Sequence, residues 1–126
     1  MSIKILDTKM NVLDMRTRMP FKYGIAILTA LPHVFVTVQA DVDGKSVTGI
    51  ASDGLPPKWF TKNPDEPFRD EITAMMSVIR HATDLAGDMP PSVNVFSLWQ
   101  DLYARQGTWA TSVGYPPLPW AFGVSL

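Results

Sequence analysis

Not one of the 126 residues is cysteine, which excludes a disulfide framework and any thiolate metal site and fits a reducing compartment. Histidine is nearly as scarce. His33 and His81 are the only two, and a pair without a third ligand makes no metal centre. Neither sign of charge dominates: 11 basic residues face 12 acidic ones, for a net charge of −1. The cations are scattered, with Lys4, Lys9, Arg16 and Arg18 near the start and Arg69, Arg80 and Arg105 far apart. They read as solvated surface, not as the cationic cluster that nucleic acid demands. No window approaches the roughly 18 apolar residues of a membrane span. The opening MSIKILDTKMN also lacks the apolar core and small-residue cleavage site of a secretory signal. The expectation is a cytoplasmic chain with no nucleic-acid or membrane partner. A glycine-rich phosphate loop, a Ser-His-Asp grouping and zinc-ligand spacing are likewise missing.

What is present suits one domain with a real core, since 46% of residues are hydrophobic and 18% charged. A first strand is expected over 3–12, with imperfect alternation of Ile3, Ile5, Leu6, Met10 and Val12. Pro20, which has no amide donor, should end any ladder. Residues 21–31 then read as a loop in which Gly24 takes a positive φ. The second strand, 33–41, is the clearest: Val34, Val36, Val38 and Ala40 share one face. Asp43-Gly44 is a hairpin turn, and 45–51 returns as the third strand. The sum is a three-stranded antiparallel meander needing a covering layer.

Two helices supply that layer, so the fold class is α+β. Over 67–86, Ile72, Met75, Met76, Ile79, Ala82 and Ala86 recur at helical spacing. Met75 and Met76 read as core fillers. Asp65-Glu66 and Asp70-Glu71 read as capping acids near the positive end of the helix dipole. Gly87 and Pro90-Pro91 should terminate the helix. Over 93–106 a second helix carries Val95, Leu98, Trp99 and Leu102 as its stripe, with Ser92 as cap and an end near Gly107. An apolar segment at 120–126 runs to the last residue, which suggests a fragment truncated at a third helix.

The order of these elements resembles the N-terminal capping domain of the enolase superfamily, closest to the mandelate racemase and muconate-lactonizing branch. The residues that carry the resemblance are Pro20-Phe21-Lys22-Tyr23-Gly24, Leu28-Thr29-Ala30, Pro32-His33-Val34, the turn Asp43-Gly44 and Gly49-Ile50-Ala51-Ser52. Many relatives have a glycine, a small residue and a glutamate after the third strand. Here the run is Gly49-Ile50-Ala51-Ser52-Asp53, so the acidic group is displaced or lost.

The resemblance implies an enzyme, a lyase or isomerase, that removes a proton α to a carboxylate and stabilises the enediolate with Mg2+. Its bases and metal ligands would lie on a following barrel, which typically takes roughly 250 residues. The chain itself is then a substrate cover with no catalytic residue, no metal ligand and no cofactor of its own. By this reading its partners are a small carboxylate, such as a sugar acid or hydroxy acid, bound through the missing barrel, and further copies of the chain in a homo-oligomer.

Two loops carry the candidate substrate contacts: Phe21, Lys22, Tyr23, Ile25 and Leu28 in the first, and Asp53, Lys58 and Trp59 in the second. Each has a plainer reading. Lys22 and Tyr23 either meet a carboxylate or form an exposed pair beside Phe21. Ile25, Ile27 and Leu28 either line a pocket or pack on the barrel. Asp53 reads better as a turn residue, and Trp59 better as packing than as a stacking platform. The alternative function is a stand-alone binding or oligomerisation module with no enzymatic activity, since exposed apolar loops mark interaction surfaces.

Overall fold

The computed structural model describes residues 1–56, 58, 62–115, 121 and 124. Strands β1 (Ile3–Tyr23), β2 (Ala26–Val42) and β3 (Lys45–Gly54) form one antiparallel sheet in the order β1-β2-β3, followed by helices α1 (Phe68–Asp88) and α2 (Val95–Val113). The α+β meander with a helical layer is therefore the observed fold. The segment expected at 120–126 lies almost wholly outside the described residues.

The imperfect alternation of β1 has a local cause. Ile5 pairs with Ala40 and Asp7 with Gln39, leaving Leu6 as an extra residue. That bulge shifts the phase of the strand by one. Ile3 and Ile5 before it, and Thr8, Met10 and Val12 after it, thereby stand opposite Val42, Ala40, Val38, Val36 and Val34 on a single face. At the β2–β3 turn, Asp43 and Gly44 take φ of 52° and 82°, as a two-residue hairpin with right-handed strand twist requires.

The largest departure from the sequence-based expectation is the first loop, which is a ladder. β1 runs to Tyr23 and pairs again with β2 through Phe21–Leu28, Lys22–Ile27 and Tyr23–Ala26. Gly24, at φ 51°, turns the chain. Pro20 does break the pairing, but only locally. Residues 17–20 of β1 stand against Thr29 alone, and regular pairing resumes at Phe21. Because β3 stops at the pair His33–Gly54, residues 14–23 and 26–32 extend beyond it as a two-stranded arm.

On the inner face of the sheet Val34, Val36, Leu55, Met75 and Ile79 form the core, with Met10, Val38, Ile72 and Met76 packed around them. The helix bounds differ from expectation at both ends. No side chain caps α1 at Pro67; Asn63 instead accepts from the Asp65 amide at 3.0 Å in the preceding turn. The helix runs through Gly87 to Asp88, with Met89 as its extended C-cap, before Pro90 denies it a further amide donor. Lys4, expected to be solvated, donates from Nζ to the carbonyls of Gly87 (3.0 Å) and Met89. A cation there satisfies orphan carbonyls and opposes the negative end of the dipole.

The cap of α2 is Asn94, whose Oδ1 accepts from the Ser97 amide at 2.8 Å, and its stop is Gly114 at φ 82°. Gly107 lies inside the helix. Ser92 serves elsewhere. Its N–H and C=O exchange bonds with Ile3, both 2.8 Å, tying the interhelical link to the edge of β1. The two helices meet through polar groups that no apolar pattern reveals. Gln106, fully buried, donates from Nε2 to the Val78 carbonyl at 2.8 Å. Its Oε1 must then accept from His81 Nδ1, 2.7 Å away. The His81 ring stacks on Trp109 with centroids 3.6 Å apart.

Candidate functional site

Three segments converge near the end of the sheet from which the arm projects. The chain leaves β3 through Leu55, fully buried, whose amide donates to the Pro32 carbonyl at 2.9 Å. Lys58 follows in the left-handed region at φ 66°, a conformation that costs a non-glycine residue about 1 kcal/mol. The contacts of its side chain offset that strain. Nζ sits 2.9 Å from a Glu71 carboxylate oxygen, with the two side chains only 4% and 5% exposed. The ammonium also donates to the carbonyls of Asn63 (2.6 Å) and Glu66, and lies 5.6 Å from the centre of the Phe68 ring.

Tyr23 belongs to the same cluster from the tip of the arm. Burial, and then the nearby Glu71 carboxylate, push its phenol above the ordinary value of 10.0. Both effects favour the neutral O–H, so Tyr23 offers the cluster a polar but uncharged group at neutral pH. The Phe21 ring stacks beside it, centroids 6.1 Å apart.

Of the residues singled out from sequence, the structure gathers Tyr23 and Lys58 about Glu71. Lys22, Phe21 and Ile25 remain exposed, Leu28 is half-buried, and Ile27 on the opposite strand is exposed. Asp53, expected in the second loop as a turn residue, instead lies within β3 opposite Val34, because the ladder runs three residues further than 45–51; it is exposed and accepts from the Gly54 amide at 2.7 Å. Trp59 lies outside the described residues.

Glu71 is the residue that sequence reasoning misassigned, as a capping acid. A signal was available. Position 71 precedes Met75, Val78, Ile79 and Ala82 at the four-, seven-, eight- and eleven-residue steps of one helical face. A carboxylate on a buried stripe demands a cation, and Lys58 is that cation.

Chemically the cluster is a clasp. The lysine and glutamate neutralise each other, and no group of three or more His, Cys, Asp or Glu able to hold a metal occurs among the described residues. Among those residues, too, no helix is long and apolar enough to cross a membrane.

The Tyr23 environment makes a testable demand on alkaline stability. The unfolded chain releases the phenolic proton near pH 10 while the folded chain still holds it. Between those two values the folded state binds more protons, so stability falls as pH rises. The contribution is fully present below pH 10.0 and is lost as pH climbs toward the folded-state value. Urea midpoints measured from pH 9 to pH 11 should therefore drop more steeply for the native chain than for Tyr23→Phe. Parallel curves would exclude this coupling.

Compared with known proteins, the chain matches no family model, no curated protein and no solved structure.

Proposed function

We propose that this chain is the capping domain of a mandelate racemase- or muconate-lactonizing-like enzyme of the enolase superfamily, a cover that closes over a small carboxylate held on a barrel outside these residues. The observation carrying this reading is the buried Lys58–Glu71 pair, 2.9 Å apart, which ties the segment after β3 to α1. A cover must exclude water and hold its shape against the reacting centre. A clasp that ties the segment after β3 to α1 meets that need. The exposed Lys22 beside it is the cation suited to a carboxylate.

The residues present do not fit a Mg2+ site, because the acid at the cluster, Glu71, is already paired with Lys58. Mg2+, the proton-abstracting groups and turnover all belong to the barrel, and a cytoplasmic setting goes with this reading. The genomic sequence downstream of the Leu126 codon tests it. An in-frame barrel supports the proposal; a stop codon with no barrel counts against it. In the joined enzyme, Lys22→Ala should raise KM severalfold with the melting temperature unchanged. Equal loss of activity and of melting temperature would assign Lys22 to the fold instead.

A second reading, a self-associating module with no activity, draws on the exposed apolar side chains of the arm. Met19 is 76% exposed and Ile25 60%, and surfaces of that kind mark interaction sites. Sedimentation at rising concentration separates the two. A monomer at every concentration removes the second reading.

A further inference from the structure

Between the inner face of the sheet and the helices lies a pocket of about 190 Å³, open to solvent on one side. Val36 and Val38 form its floor, Ala82 and Ala86 of α1 one wall, and Leu98 and Trp99 of α2 the other. Leu98 and Trp99 belong to the apolar stripe of the helix expected to cover the sheet, and two contacts fix where α2 lies. At one end the Ser92–Ile3 bonds hold the start of α2 at the sheet edge. Farther along, Gln106 anchors α2 to the Val78 carbonyl. Between the anchors α1 presents alanines at positions four apart, where larger side chains would have filled the gap. Those hydrogen bonds fix α2 to the sheet edge at its start and to α1 farther along.

The lining is almost entirely hydrocarbon. Its polar side chains are Thr8, Thr83 and the Trp99 indole. The Thr83 hydroxyl donates to the Arg80 carbonyl at 2.8 Å, and Trp99 Nε1 to the Val124 carbonyl at 3.1 Å. Water needs two to four polar partners to settle in such a space, and these walls offer few. With its N–H satisfied, the indole has its ring face to contribute. Val95, also in the lining, is 66% exposed and marks the side open to solvent.

We infer that this cavity binds a small uncharged apolar molecule about the size of one aromatic ring. Size sets the class, because apolar protein cavities of about 150 Å³ take up benzene. Chemistry narrows it: among the described residues no charged side chain lines the space, so an ionised ligand would lose its hydration without compensation. The inference stands on the interlayer geometry and does not rest on the capping reading.

Toluene, with benzoate as its charged counterpart, serves as the probe. Titration of the isotopically labelled full chain should give saturable shifts at the Ala82 and Ala86 methyls and at the Trp99 indole N–H, with a raised melting temperature. Benzoate should bind at least tenfold more weakly. Ala86→Leu, which fills the space, should weaken toluene binding at least tenfold with the melting temperature unchanged or higher. If that variant does not fold, the toluene–benzoate comparison on the native chain decides alone. Shifts that do not saturate, that centre on the exposed Phe96, or that are equal for the two probes would overturn the inference.

Discussion

Lys58→Ala should destabilise the chain by about 3–5 kcal/mol, the usual consequence of leaving a buried charge without its partner. The magnitude follows from burial. Glu71 is 5% exposed, so its carboxylate cannot recover in water what it loses in the ammonium. The carbonyls of Asn63 and Glu66 lose a donor at the same time. In urea the midpoint should fall with little change in slope, as expected when stability changes and the surface exposed on unfolding does not. The double variant Lys58→Met/Glu71→Leu should recover most of the loss, because well-packed apolar replacements for a buried pair are often neutral or stabilising. If the single variant loses less than about 1 kcal/mol, the pair behaves as a solvated one, and the clasp has no energetic basis. The double variant also bears on function. In a joined enzyme it should keep the cover folded, and a marked fall in kcat/KM would then show that the ionic groups matter beyond stability.

Leu55→Ala is the second large effect, at about 2–5 kcal/mol. Leu55 is fully buried and shares the core with Val34, Val36, Met75 and Ile79. Truncation there loses the transfer energy of three carbons and leaves a cavity that the paired strands cannot collapse to fill. The site amplifies the consequence. Leu55 is the last anchored residue before the segment bearing Lys58, and its amide holds Pro32 of the arm. Hydrogen exchange should therefore quicken at Lys58 and along 26–32 more than at the Gln106 contact between the helices. Uniform acceleration across the chain would mean that Leu55 contributes to global stability alone, without a special role at this end of the sheet.

Much of the architecture is legible in local pattern. The alternation of Val34, Val36, Val38 and Ala40, the Asp43-Gly44 turn and the spacing of Met75, Ile79 and Ala82 each report a single element, and each reappears in the structure. The first loop is not legible in this way. Phe21, Lys22, Tyr23, Ile25 and Leu28 carry no alternation that sets them apart from an irregular apolar stretch. Their pairing depends on resuming register after four residues have stood against Thr29. Bulges of this kind are selected by the opposing strand, and so they escape a reading made along one strand. The clasp is half visible. Tyr23 and Lys58 stand out as polar groups in apolar loops, while Glu71 is hidden by its place in the first turn of a helix, where acids are ordinary.

Short-range chemistry thus settles which residues are strand, turn and helix here, because periodicity and backbone preference act over a few residues. Packing alone decides that β1 continues into an arm, that Lys4 closes the end of α1, and that Lys58 meets Glu71 beside Tyr23. Charges leave water only for specific partners, and those partners come from segments far apart in the chain.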